Sequence, residues 1–497
     1  MKLLIFPNQL FPLNMINYLE YNKIYIIEES RYFTDFKFHK LKLVYHRASM
    51  KKYYDELGKK IDVIYIDFNK VTNAFYKKLN KDTTTYFNPI DHVLLKKLSK
   101  LLNKAQIINN LNFLLTPDEI KENKDYFFTN NKYSHDNFYK FQRKKLNILM
   151  KEKNEHDLNS HDLNSHNLKP DGNKWSFDTE NRQALPKNIK QPELPKIKKD
   201  KYYKEACEYI NKHFENNYGN TDEWIYPIDT KTALKWLNHF ISKKLDNFGP
   251  FQDAVDTSKP FLFHSILSPM MNIGILPDVL VVKISNDYYL KHKASIPIAS
   301  YEGFIRQIIG WRNYVYSLYL LEPDMYNKNF LNHKKKIDDK YWLAETNIPP
   351  IDDIIKNIVK YSYAHHIERL MYLGNWFLIN QVDPKEVHRI FMEWTVDAYD
   401  WVMVPNVHGM SQFADGGKMM TRLYFSSSNY IDKMSNYKKK KDEIWWKYWD
   451  AIYYSFINKH QDMLSKNYAT SRQVSHWAKK SEKEKDDLLE LAKSYKF

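Results

Sequence analysis

The chain is poor in cysteine, in long apolar runs and in phosphate-turn glycines, and each shortage closes off a class of protein. A single cysteine, Cys207, in 497 residues rules out an intramolecular disulfide and any cluster held by several thiolates. No apolar run approaches twenty residues, so no membrane-spanning helix is expected. The opening Met1-Lys-Leu-Leu-Ile-Phe-Pro7 reads as a short strand rather than a signal peptide, which predicts a cytoplasmic protein. No Gly-x-Gly-x-x-Gly follows that strand. Pro7-Asn8-Gln9-Leu10 stands there instead, against a nicotinamide-type pyrophosphate turn.

Aromatic residues, by contrast, make up 16% of the chain, with 38 Tyr, 28 Phe and 12 Trp. Lys and Arg exceed Asp and Glu by sixteen, an excess that suits a polyanionic partner and predicts salt-dependent binding. A merely solvated surface explains part of it.

Residues 1–135 alternate short apolar runs with helical patterns. Strands are expected at 2–6, 23–28, 61–67, 83–87 and 105–110, with helices at 36–57 and 91–102 between them, a pattern that predicts an α/β domain with a doubly wound parallel sheet. Residues 136–200 read as a linker. It contains the repeat His156-Asp-Leu-Asn-Ser160, His161-Asp-Leu-Asn-Ser165, His166-Asn-Leu168, whose histidines lack a carboxylate or cysteine framework for a metal. The later part, Gly172 to Arg182, is expected to be ordered. Residues 201–497 carry helical periodicity with few strand signals, which predicts a large all-α domain able to enclose a cofactor.

Two stretches of this domain set polar groups among large apolar ones, where burial is costly without a partner. One is Glu302-Gly-Phe-Ile-Arg306-Gln-Ile-Ile-Gly-Trp311-Arg312, whose apolar neighbours leave Arg306 little solvent face, so it should be buried and paired. The other runs from Tyr363-Ala-His365-His366-Ile-Glu-Arg369 to Asp397-Ala-Tyr-Asp400 and on through Asn406 to Gly417. Continuing the preceding helix by about three turns projects Ile354 and Ile355 onto His365 and His366, so both imidazoles are expected to face inward. An inward His is more often a core residue than a catalyst, but two in succession followed by Arg369 shift the balance, because imidazole exchanges protons near neutrality. Upstream, Ser265, Ser268 and Asn272 fall at i, i+3 and i+7, one face of a short helix, and a helix start with hydroxyls either caps itself or favours an anion.

These motifs, in this order, resemble the photolyase/cryptochrome superfamily, in particular its prokaryotic (6-4) photolyases, also called iron–sulfur bacterial cryptochromes and photolyases. The resemblance is densest between residues 247 and 434. It implies FAD, contacted by Phe248, Gln252, His264, Ser265, Ser268, Asn272, Arg306, Trp311, Asp397 or Asp400, and Asn406. It implies a proton-transfer role for His366 or His365, a substrate pocket with Tyr424 and Tyr430, and ultraviolet-damaged DNA as partner of a monomer. It also implies an antenna in the first domain, 6,7-dimethyl-8-ribityllumazine, near Asn8, Gln9 and His39. Trp342 and Trp394 are candidates for electron transfer. The family's four cluster cysteines would fall in this half of the chain. Pro350, Lys438 and Lys441 stand at three of those places, and the fourth falls in the shortened stretch before Trp445. No iron–sulfur cluster is expected, and no metal site. The activity implied is light-dependent repair of (6-4) photoproducts. Its rivals are a cyclobutane-dimer photolyase and a blue-light photoreceptor, the latter disfavoured because the chain ends soon after a family helix.

Overall fold

A computed structural model describes residues 1–81, 83–151 and 169–497. The histidine repeat at 156–166 lies outside the described residues. Five strands appear where the apolar runs placed them, each slightly shorter: β1 Lys2–Ile5, β2 Lys23–Ile27, β3 Val63–Ile66, β4 Thr84–Phe87 and β5 Gln106–Ile108. They form one parallel sheet of order β3-β2-β1-β4-β5, with Lys2 opposite both Lys23 and Thr84. Parallel strands need crossovers, and α1 (Lys40–Leu57) supplies the one between β2 and β3. The chain order reverses between β1 and β4, where such sheets usually open a ligand crevice.

Asn8 and Gln9, expected to contact an antenna, lie at this crevice. Asn8 donates to Pro89 O (2.9 Å) and Gln9 to Phe87 O (2.9 Å), and both side chains are buried. His39 is wholly buried. Its Nδ1 accepts from Leu41 N (3.0 Å), capping α1, and its Nε2 lies 3.0 Å from Val359 O. A Cβ on Gly219, which sits at φ 77°, would lie 1.9 Å from that imidazole, so only glycine lets the ring in. All three residues bond the chain's own backbone, while Asn8 Oδ1 is buried without a partner.

Past residue 134 the described chain has helices and loops, with isolated bridges in place of strands. The expected linker begins with a helix, α2 (His135–Leu146), which packs against residues 306–312 and so belongs with the second domain. Arg143 at its end is fully buried and donates to Ile148 O (3.2 Å), Trp175 O (2.9 Å) and Leu149 O, while Lys151 N donates to Lys169 O (3.0 Å). The two flanks of the undescribed segment are thereby clipped together. Residues 172–182 run against the helical domain: Asn181 donates to Ala299 O (3.0 Å) and Asp178 meets Arg306. Among the described residues no helix is long and apolar enough to cross a membrane.

Candidate functional site

Three helices of the second domain each widen into a π-helical turn, at Arg306–Arg312, Glu368–Gly374 and Pro405–Ser411. These are the segments with the costly polar residues. Single π turns cluster at functional sites because the wider backbone re-aims side chains.

The first π turn sends its cations in different directions. Arg306 is buried and paired, as expected, with Asp178 (2.8 Å) and Glu302 (3.3 Å). Arg182 also meets Asp178, and the same charges act on Asp253, Tyr424 and Tyr430. Burial, with Asp178 adding to it, pushes the Asp253 carboxyl up to about 6. Trp311 turns away to stack on His135 of α2, with centroids 3.8 Å apart. Arg312 binds Asp278 (2.6 Å) and Asn272, and its Nη2 remains buried without a partner.

Around Asp397 the predicted residues do converge. Ser268 Oγ donates to its carboxylate (2.6 Å), Asn272 Nδ2 to its carbonyl (2.6 Å), and Arg369 pairs with it at 2.8 Å. Ser265 is not on the same helix face, because the helix starts at Ser268 and Ile266 takes a left-handed conformation (φ 54°). Asp400 points the other way, to Arg31 of the first domain and to His388 (3.0 Å), and those partners hold it down to about 2. Asn406, on the third π turn, is partly buried and donates to Val402 O (2.7 Å).

The histidine pair divides. The helix before it, α3 (Pro349–Tyr361), ends at Ser362 in the left-handed region (φ 53°), so the register that put both rings inside is broken. His365 is buried; His366 is open to solvent. His365 stacks on His264 with centroids 4.1 Å apart and planes 13° from parallel. His264 Nε2 lies 3.0 Å from Gln252 O, and Phe248 meets its edge at 6.3 Å. Nδ1 of both stacked rings is buried without a partner. Glu368, missed in the sequence, accepts from His365 N (2.9 Å), three residues on as in a helix-capping motif. Burial drives its carboxyl up to about 8, above the pH of most assays. Desolvation depresses all three imidazoles, His264 to about 4; the neighbouring histidines and Arg369 add to it at His365, and Arg369 at His366. His366 is subject to this too, because protein surrounds it despite its solvent access.

Tyr372, on the second π turn, contacts Tyr430 with ring centroids 6.5 Å apart, which joins Tyr430 to the helix that begins at the histidine pair. Trp394 is fully buried and meets Trp342 edge-on at 5.6 Å, and Tyr218 lies against both, at 6.3 and 5.0 Å. Tyr437, beside the lysine run, binds Asp353 and Thr257 (3.0 Å).

A parallel-sheet domain joined to a helical domain is also the architecture of the photolyase/cryptochrome superfamily, and comparison with known proteins shows that the chain belongs to it. A family model described as deoxyribodipyrimidine photo-lyase-related protein matches residues 3–226. Within the superfamily, a (6-4) photolyase of Agrobacterium fabrum is 35% identical over 367 residues, 72% of this chain and 69% of that protein. The fold is that of a bacterial class III photolyase from Agrobacterium tumefaciens (TM-score 0.57, 14% identity, 99% of this chain and 97% of that one). It is likewise that of a Synechocystis cryptochrome (TM-score 0.55, 14% identity, 98% and 93%).

Proposed function

We propose that this protein is a DNA photolyase, a lyase that uses light to repair (6-4) pyrimidine–pyrimidone photoproducts, with FAD as cofactor. The residues present fit a flat polar cofactor. Unpartnered atoms on His264, His365 and Arg312 sit near Asp397 and Arg369, where a native interior would otherwise satisfy them. Ser268, Asn272, Arg369 and Asn406 would hold FAD, which when bound supplies light absorption and an electron. Trp394 and Trp342, in direct contact and with Tyr218 against both, would carry electrons inward from the partly exposed Trp342.

The histidine group carries the choice of lesion. Opening a (6-4) lesion moves a hydroxyl between bases, so a proton must be delivered and recovered. His366 is the solvent-open imidazole and would meet an extruded base; His365, stacked on His264 and fixed by Glu368, orients it. Tyr424 and Tyr430 would line the pocket. The net charge of +16 would hold DNA phosphates. The relative from Agrobacterium fabrum bears the (6-4) name, which supports the same lesion. With one cysteine in the chain, we infer that no iron–sulfur cluster is bound and that Lys438–Lys441 replaces its setting.

An absorption spectrum and iron assay of purified protein, followed by lit and dark repair assays on both lesions, test this reading. The expected result is FAD without iron, and light-dependent repair of (6-4) products only. Repair of cyclobutane dimers alone would overturn the lesion assignment, and flavin without repair of either lesion would favour the photoreceptor.

A further inference from the structure

The start of α1 presents three polar side chains to the second domain: His39, Lys42 and His46, spaced three and four residues apart, as on one helix face. His39 N donates to Glu393 O (2.7 Å). Lys42 Nζ donates to Met392 O (3.2 Å) and Ala398 O (2.6 Å), and His46 Nε2 lies 2.7 Å from Tyr399 Oη. The first domain therefore grips both ends of the segment 392–399, which carries Trp394 and Asp397.

Lys42 is the unusual member. It is 1% exposed, and among the described residues it forms no ion pair; its acceptors are two carbonyls and the faces of Phe38 (4.6 Å) and Tyr399 (5.3 Å). Burying an ammonium on such terms is costly. Burial lowers its pKa to about 7, with Asp397 and Asp400 opposing that shift and Arg369 and Arg31 adding to it. His46 faces it from its own helix, and Tyr399 and Glu393 from the gripped segment.

We propose that Lys42 is a positioning residue for the cofactor site, holding the Asp397 segment in place from the other domain and tuning, through its charge, the affinity of that site for an anionic dinucleotide. The inference rests on the reading of that site as an FAD site. An ammonium beside Asp397 adds positive potential where the pyrophosphate dianion must approach, so binding tightens when Lys42 is protonated.

The test is the FAD dissociation constant of wild type, K42M and K42R, read by flavin fluorescence at pH 6 and pH 8.5. Wild type should bind roughly fivefold tighter at the lower pH, an ordinary coupling between two sites. K42R, always charged, should keep the tight value at both pH values, and K42M the weak one. Glu368 and Lys244 also titrate near this range. If K42M follows the wild-type pH dependence, one of them is responsible and the proposal is overturned. Should K42M fail to fold, K42R decides: a pH dependence equal to that of wild type overturns the proposal. If wild type binds no FAD at all, the cofactor reading falls first and this inference with it.

Discussion

The sheet domain and the helical domain set their buried polar residues in different company. In the first, Asn8, Gln9 and His39 bond the chain's own carbonyls and amides, and Asn8 Oδ1 is left over on its own. In the second, the unpartnered nitrogens of His264, His365 and Arg312 gather around the Asp397–Arg369 pair, to which Asn272 and the His365 backbone tie them. All six residues look alike in sequence, polar groups in apolar surroundings. The difference teaches that one unmet polar atom does not mark a site, whereas several gathered about charged groups do.

The sharpest way to break this comparison is His366→Ala. A poised imidazole contributes about two to four orders of magnitude to proton transfer, so light-dependent (6-4) repair should fall by roughly that factor. FAD retention and the melting temperature should stay near wild type, since the ring is exposed. Loss of flavin with activity would show that the residue only supports the fold.

Next in size is the pH dependence set by Glu368. Its folded pKa is raised, so the folded state binds the extra proton between the unfolded value, near 4.5, and about 8. Stability should therefore be greatest below that window and fall as pH rises through it, by on the order of 4 kcal/mol. In Glu368→Gln, denaturant unfolding at several pH values should lose most of this slope, because glutamine keeps an acceptor for His365 N but does not ionise. An unchanged slope would assign it to other buried carboxyls.

His39→Ala sharpens the contrast from the other side. It removes a helix cap and leaves Val359 O without its imidazole partner, a loss of about 1–3 kcal/mol in chemical denaturation. If His39 serves only the backbone, the spectrum and content of any bound chromophore should be those of wild type. A lost antenna band at unchanged stability would restore the role that the sequence suggested.

The smallest expected effect comes from excising residues 152–168. Their flanks are already joined by Lys151 N to Lys169 O and by Arg143, so stability should change by less than about 0.5 kcal/mol in a thermal melt.

The central strands were legible because parallel strands buried on both faces read as apolar runs, and the edge strands β3 and β5 kept β-branched residues although they are less buried; the motif order marked the helical domain equally well. The Asp397 cluster was legible in part: Ser268 and Asn272 came out of their spacing, whereas Asp400 could not be told from Asp397 three residues away. The placement of His366 was not legible, because it depends on Ser362 adopting a left-handed conformation, and no residue type there announces the break. The π turns also leave no periodic signature, since each displaces the helical register by one residue. Lys42 was passed over because its partners are carbonyls of a segment 350 residues away.

The three π turns have a consequence for how this protein can vary in length. Each holds one residue more than the α-helical turn it replaces, so removing one residue would let it close into an ordinary helix while the helix beyond keeps its orientation. Asn375 would stay within reach of Ser426, and Trp376 of Tyr341. What would change is the aim of the side chains inside the turn, such as Tyr372 against Tyr430 in Glu368–Gly374. A one-residue deletion in a π turn should therefore spare the fold and alter the site.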